Sequence, residues 1–73
     1  MLALRVQPTD VQVFIDGELW GSLEGLEKTV IHLPAGVHRI ELRKEGFQSF
    51  VTEVEILQGE TAPLNVKLDG MLL

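Results

Sequence analysis

The sequence predicts an all-β fold, a small antiparallel β-sandwich of about six to seven short strands. Three observations lead to this prediction. Apolar and polar residues alternate with a period of two along most of the chain, as they do in half-buried strands. Turn signals built on glycine, proline and aspartate recur about every 8–12 residues, the spacing of a sandwich. A hydrophobic content of 45% with only 5% aromatics indicates a core of leucine, valine and isoleucine.

The first half of the chain contains three predicted strands. Apolar residues alternate at positions 2, 4 and 6 until Pro8 closes the first strand. They alternate again at positions 11, 13 and 15, up to Asp16-Gly17, a dipeptide that suits the positive φ angles of a two-residue hairpin turn. A short return strand, Glu18–Trp20, ends at Gly21. For residues 21–28 we expect a loop with at most one turn of 3₁₀ helix, since two glycines weaken any helical pattern.

The second half predicts a hairpin and two further strands. We expect Thr29–Leu33 to pair with His38–Lys44 around Pro34-Ala35-Gly36. After Glu45-Gly46, the longest strand runs from Phe47 to about Leu57. The chain then turns at Gln58-Gly59-Glu60, and Pro63 marks the start of the last strand, which carries Leu64, Val66 and Leu68.

This pattern predicts which residues form the core and which glycines need unusual backbone angles. We expect Gly36 and Gly46 to adopt conformations that are costly for a residue with a Cβ. The predicted turn residues are Asp16, Gly17, Pro34, Gly36, Gly46 and Gly59. The predicted core consists of Val11, Val13, Ile15, Ile31, Leu33, Ile40, Leu42, Val54, Ile56, Leu64 and Val66.

Two histidines flank the predicted corner, and the hairpin register decides their role. A three-residue loop would place His32 directly opposite His38, within reach of a shared metal ion, but would split the apolar residues between two faces. A four-residue loop pairs Leu33 with His38 and Ile31 with Ile40, which puts the apolar residues on one face. Because a one-residue slip moves every side chain to the other face, the hydrophobic pattern favours the second register. We therefore expect His32 to point outward and His38 to lie at the edge of the core, hydrogen-bonded to backbone.

Length, charge and composition exclude several classes of function. The 73 residues form one domain near the lower size limit for independent folding. With six basic and eleven acidic residues, the formal charge is −5, which repels phosphate backbones, so nucleic-acid binding is not expected. The chain has no cysteine, which excludes disulfides and thiolate metal sites.

The two ends bear on the setting of the chain. Its start, MLALRVQPTD, lacks the features of a signal peptide, and no apolar run reaches the roughly 20 residues needed to cross a bilayer. Met71-Leu72-Leu73 forms an apolar end after Asp69-Gly70. Such an end favours a single domain, residues 1–73, excised from a longer chain. Membrane insertion by this segment is not expected.

No catalytic or metal-binding constellation is predicted, and no cofactor is expected. Glu53 and Glu55 lie on the outward face of one strand and Glu41 on another, where they would form a solvated, edge-protecting face. A glycosidase-like acid pair needs a cleft, for which a sandwich of this size has little room. Ser22 and Ser49 stand in no nucleophile motif. We expect that the protein is not an enzyme.

With the turns placed, six segments follow one another in a recognisable order and spacing: Val11–Gly17, Gly21, Leu33–His38, Arg39–Phe47, Gln58-Gly59 and Leu64–Leu68. Through these segments the chain resembles the PEGA domain family along nearly its whole length. Within Leu33–His38, the corner segment, Pro34 and Gly36 match the positions that name the family. Two departures stand out. Ser22-Leu23-Glu24 replaces the usual Thr-Pro pair, and Trp20 replaces a small aliphatic residue.

The resemblance implies a small transthyretin-like or prealbumin-like sandwich. Such modules occur in multidomain proteins at bacterial and archaeal surfaces, beside S-layer segments, proteases or kinase domains, and are not known as catalysts. It therefore implies a structural or protein-interaction module of a larger, cell-surface-associated prokaryotic protein. By the same resemblance, the location is extracellular, periplasmic or at the cell surface, with a cytoplasmic location left open.

Trp20 is the weak candidate for a ligand-binding residue. It could cap the sandwich edge, anchor a protein partner, or serve as a stacking platform for sugar. The expected partners are accordingly another protein or neighbouring domains of the same chain. A carbohydrate-binding module that uses Trp20 is the alternative. Open edge strands can also pair with a second copy, which would give an edge-strand dimer.

Overall fold

A computed structural model of the chain describes residues 1–25 and 28–70 and confirms the all-β fold class. No helix occurs among these residues, so none of them belongs to a helix long and apolar enough to span a membrane. The strands are β1 (Leu2–Gln7), β2 (Gln12–Ile15), β3 (Glu18–Ser22), β4 (Lys28–Ile31), β5 (Gly36–Arg43), β6 (Phe50–Ile56) and β7 (Ala62–Lys67).

The strands form two sheets, here called sheet I and sheet II. Sheet I has the order β4-β1-β7, and sheet II has the order β3-β2-β5-β6. All pairs are antiparallel except β1–β7, which is parallel and starts with Leu2 beside Ala62. Since β1 and β7 come from the two ends of the chain, sheet I joins those ends through backbone hydrogen bonds.

Alternate residues of the two sheets meet in one aliphatic core. Sheet I contributes Leu2, Leu4 and Val6 from its central strand, and sheet II contributes Ile40 and Leu42 from β5. The buried residues are Leu2, Leu4, Val6, Val11, Val13, Leu23, Ile31, Ile40, Leu42, Ile56, Val66 and Leu68. One apolar face per sheet is thus enough to hold the two sheets together, as in other sandwiches.

The predicted core agrees with this one in most positions. Four of the predicted residues, Ile15, Leu33, Val54 and Leu64, are only partly buried and pack against the rim of the core. The prediction omitted all three core residues of β1, together with Leu23 and Leu68. The alternation at positions 2, 4 and 6 was visible in the sequence, whereas Leu23 lies in a polar loop that has no strand pattern.

The predicted hairpin between Thr29–Leu33 and His38–Lys44 is wrong. Instead, β4 pairs with β1 in sheet I, with Ile31 beside Leu2, and β5 pairs with β2 and β6 in sheet II. Residues 32–35 therefore carry the chain from one sheet to the other. Either neighbour lets Ile31 face the core, so the apolar pattern could not tell the two pairings apart.

The turns at Asp16-Gly17, Glu45-Gly46 and Gln58-Gly59 lie where the sequence placed them, whereas Gly36, predicted as a turn residue, begins β5, and other strand boundaries also shift. Asp16 and Gly17, with φ of 52° and 86°, connect β2 to β3. The predicted strand from Phe47 begins only at Phe50, because Phe47 makes a single bridge to Gly70 after the turn at Gly46. The return strand continues past Trp20 to Ser22.

Candidate functional site

His38 is held between two oxygen atoms from distant parts of the chain. Its Nδ1 lies 2.7 Å from Oδ2 of Asp16, in the β2–β3 turn. Its Nε2 lies 2.8 Å from the carbonyl oxygen of Pro34, in the connection between the sheets. His38 itself stands on β5, with its side chain only 12% exposed. We call these three residues the histidine clasp, since they tie the connection between the sheets and the β2–β3 turn to β5.

The geometry of the clasp favours a protonated imidazole. A carboxylate oxygen and a carbonyl oxygen can only accept hydrogen bonds, so both ring nitrogens of His38 must donate. The hydrogen bond to Asp16, followed by that to Pro34, raises the pKa of His38 above its ordinary value of 6.5. The same bond to His38, followed by the backbone bond from Arg39, lowers the pKa of Asp16 below its ordinary 3.8.

Asp16 also joins the hairpin turn to β5 directly. Its Oδ1 accepts the backbone N–H of Arg39 at 2.9 Å, and its own N–H donates to the carbonyl oxygen of Arg39 at 2.8 Å. Both ring nitrogens of His38 and both carboxylate oxygens of Asp16 therefore have partners. The sequence predicted the backbone contact of His38 but missed Asp16, which is 22 residues away and has no local signal.

The two histidines do not face each other. His32 follows β4 and is exposed, whereas His38 faces inward on β5 in the other sheet. The register that would place the two rings opposite each other is therefore absent, because the hairpin itself is absent. Within residues 1–25 and 28–70, no three histidine, aspartate or glutamate side chains come close enough to hold a metal ion.

Trp20 lies on β3, at an edge of sheet II. The register of β2 and β3 shifts between Val13, which faces Gly21, and Phe14, which faces Leu19, so Trp20 is the extra residue of a β-bulge. Bulges of this kind re-aim side chains at sheet edges. Trp20 is 45% exposed and Leu19 57% exposed. The two border a surface depression that is also lined by Ile15, Asp16, Glu18 and Leu33.

The predicted solvated carboxylates lie on the outer face of sheet II. Glu53 and Glu55 are exposed on the edge strand β6. Glu41, on β5, forms an ion pair with Arg43, whose guanidinium carbon lies 4.5 Å above the ring of Phe14. These carboxylates do not form a converging pair, because each belongs to a different cross-strand position.

A comparison with protein families matches the PEGA domain over residues 1–71. The chain belongs to the PEGA domain family. PEGA domains are small modules of larger proteins and are generally found in extracellular or periplasmic proteins. A search among curated proteins found no match.

The segment Leu33–His38, which carries part of the family resemblance, contains the end of the connection between the two sheets and the start of β5 in this PEGA domain. Pro34 supplies the carbonyl group for the clasp, and Gly36, with φ of 131°, starts β5. The corner therefore carries the chain from sheet I to sheet II and is not a hairpin turn.

The segment that departs from the family pattern contains a contact that sequence reasoning missed. Leu23 is buried, and its N–H donates to the carbonyl oxygen of Val11 at 2.9 Å. Asp10 accepts the N–H of Gly25 through its side chain at 2.8 Å and donates its own N–H to Leu23. Residues 26 and 27 of the predicted loop, like the apolar end at 71–73, lie outside the described residues.

Proposed function

We propose that this PEGA domain is a non-catalytic structural or protein-interaction module of a larger, cell-surface-associated prokaryotic protein. The family match over nearly the full chain supports the modular role and the extracellular or periplasmic setting. Asp16 and His38 form an acid–base pair, but the donors of His38 and the oxygens of Asp16 are engaged in internal hydrogen bonds. This supports a structural role for the pair and not a catalytic one.

One observation carries the interaction role: two large apolar side chains, Leu19 and Trp20, are exposed side by side on an edge strand. An edge strand offers unpaired backbone N–H and C=O groups to an added strand, and neighbouring side chains then supply specificity. Tryptophan is also among the residues most enriched at the energetic centres of interfaces. The β3 edge therefore suits a protein partner or a neighbouring domain, and a second copy would bind as an edge-strand dimer.

Hydrogen exchange can test this role in the chain alone and in the natural protein that contains it. We expect the β3 amides to exchange fast in the isolated domain and to become protected in the longer protein or with its partner. The double variant Leu19→Ser/Trp20→Ser should lose that protection. Leu57→Ser is the matched control, because Leu57 is 50% exposed but lies between β6 and β7.

Three results would contradict the proposal. Protection of β3 that survives Leu19→Ser/Trp20→Ser would show that these side chains do not anchor a partner. Equal exchange of β3 in the isolated and the natural protein would show that the edge is left open. A measured turnover that is lost on a single side-chain change would contradict the non-catalytic role.

A carbohydrate-binding module is the second candidate, because Trp20 shares its depression with the carboxylates of Asp16 and Glu18. Sugars stack on aromatic faces, and nearby polar side chains accept hydrogen bonds from their hydroxyl groups. As Trp20 is the only tryptophan in the chain, its fluorescence reports on this site alone. Saturable quenching by one class of glycan, with calorimetric binding lost in Trp20→Ala, would favour this function over the first.

A further inference from the structure

The outer face of sheet I carries cations and no acids among the described residues. Arg5 on β1 lies directly opposite Lys28 on β4, and Lys67 on β7 lies opposite Gln7. All four side chains are exposed. Half of the six basic residues of the chain thus lie on one side of this sheet. We call this surface the basic face.

The charge of the basic face opposes that of the whole chain. Eleven acidic residues give the chain a formal charge of −5. None of them stands at an outward position of β1, of β7 or of the described strand β4. The acids among residues 1–25 and 28–70 lie in the turns, at the strand ends and on sheet II. Arg5, Lys28 and Lys67 therefore form a local group of positive charges on an acidic protein.

Folding stability does not account for this arrangement. Like charges directly opposite on neighbouring strands are destabilising, and the β-carbons of such a pair are about 4.5–5.5 Å apart. In the part of the chain that the structure describes, Arg5, Lys28 and Lys67 make no ion pair, while Arg43 and His38 each have an acidic partner. A negatively charged partner would offset the repulsion between Arg5 and Lys28.

The other half of the same face is apolar. One row along the strands from Arg5, Ala3 lies between Val30 on β4 and Pro63 on β7. These residues, with Arg5, Lys28 and Asn65, line a single surface depression. Rows on one face of a strand are about 7 Å apart, so a single partner surface spans both halves.

We infer that the basic face of sheet I binds an acidic protein surface, one that presents aspartate or glutamate side chains to Arg5, Lys28 and Lys67 and an aliphatic side chain to Val30. The inference goes beyond the proposed function, because it assigns a second surface on the other sheet. Its test does not involve Leu19 or Trp20, so either proposal can fail alone.

Charge and polarity together select this occupant. Nucleic acid is disfavoured because its phosphates would meet the cations but would offer no aliphatic group to Val30. A second copy is disfavoured because carboxylates on sheet II have cations near them in the same sheet, such as Arg39 opposite Glu53. A uniformly charged polysaccharide would leave Val30, Ala3 and Pro63 without an apolar contact.

The test uses two triple variants that remove the same number of positive charges from different faces. Arg5→Gln/Lys28→Gln/Lys67→Gln removes the basic face, and Arg39→Gln/Arg43→Gln/Lys44→Gln removes the remaining cations. The probe is a fluorescent synthetic peptide of glutamate and leucine, followed by anisotropy. We expect the first variant to weaken binding at least about tenfold and the second to weaken it much less. Raising the salt from about 20 to about 200 mM should weaken wild-type binding, since exposed charges are screened.

Further binding experiments distinguish an acidic protein from other partners of the basic face. Val30→Ser should weaken the glutamate–leucine peptide but not a glutamate-only peptide of equal charge. If the control triple variant is not folded by circular dichroism, Arg5→Gln against Arg39→Gln gives the same comparison, because both arginines are exposed. Equal losses for the two faces, or no binding at all, would overturn the inference. Tighter binding of dextran sulfate than of the peptide, or self-association in sedimentation that depends on Arg5, would overturn the choice of an acidic protein.

Discussion

The outer faces of the two sheets carry charges in opposite arrangements. On sheet II, Arg43 pairs with Glu41 and covers the ring of Phe14. Arg39 lies directly opposite Glu53 on the same face. On sheet I, Arg5 lies opposite Lys28, and no described acid shares their face.

This difference distinguishes charges that serve the fold from charges left for a partner. The cations on the outer face of sheet II, Arg39 and Arg43, have acidic or aromatic neighbours within the chain. The cations of sheet I lack such neighbours among the described residues and include a repulsive pair. The buried residues of the two sheets show no such contrast, because all of them are aliphatic and share one core.

The largest expected effect concerns that shared core. Leu4→Ala on sheet I and Ile40→Ala on sheet II each remove a fully buried aliphatic side chain. Each should lower the free energy of unfolding by about 2–5 kcal/mol, because the lost contacts and the cavity both cost stability. Urea unfolding measures the change. A loss below about 1 kcal/mol for one of the two would show that the sheets do not depend equally on the core.

The next effect concerns two glycines with positive φ, one at the start of β5 and one in the turn between β5 and β6. Gly36 has a φ of 131° and Gly46 a φ of 84°, and a Cβ at either would meet no atom within 4 Å. The cost of Gly36→Val or Gly46→Val is therefore backbone strain, and we expect about 1–3 kcal/mol for each.

Substitution by asparagine should affect Gly36 and Gly46 differently. Asn tolerates the left-handed helical region, near which Gly46 lies, but not the more extended positive φ of Gly36. Gly46→Asn should therefore be much milder than Gly36→Asn in thermal unfolding. If all four variants unfold like wild type, the strain argument fails.

A further effect is a pH dependence of stability from the clasp. Because the pKa of His38 is raised above 6.5, its stabilising contribution is complete below about pH 6.5 and is lost as the pH rises through the folded-state pKa. The depressed pKa of Asp16 makes its contribution present above about pH 3.8 and lost as the pH falls through the folded value. The clasp therefore stabilises sheet II most at mildly acidic pH.

Urea unfolding on both sides of neutrality measures this effect. His38→Gln should be less stable than wild type at mildly acidic pH, and this difference should shrink at alkaline pH. His32→Gln is the matched control for loss of an imidazole, since His32 is exposed, and it should keep the pH dependence of wild type. An unchanged pH profile in His38→Gln would show that the clasp does not contribute.

The smallest expected effect compares the outer faces directly. Lys28→Glu replaces the repulsion of Arg5 by an attraction and should raise stability by roughly 0.2–1 kcal/mol. Glu53→Lys places a cation opposite Arg39 and should lower stability by a similar amount. Chemical unfolding at low salt detects both. A loss of stability in Lys28→Glu would mean that the basic face serves the fold after all.

Much of the fold could be predicted from local sequence. Val11, Val13 and Ile40 alternate with polar residues, so their inward direction follows from the two-residue period of a strand. Asp16-Gly17 and Gly46 predict the turns in which they lie, because few residues adopt a positive φ easily. The exposed position of Trp20 could not be predicted in the same way, since the bulge that re-aims it depends on the register between β2 and β3.

Strand partners and the contacts across them were decided only in the folded molecule. Alternation determines which side of β4 faces the core, but every strand offers the same backbone hydrogen bonds to any neighbour. The apolar face of β4 can be buried beside β1 or beside β5, and packing of the whole chain selects β1. That selection makes Pro34 part of a connection between sheets. The Asp16–His38 bond and the repulsive Arg5–Lys28 pair likewise join residues 22 and 23 positions apart, because the energies that set them act through space and not along the chain.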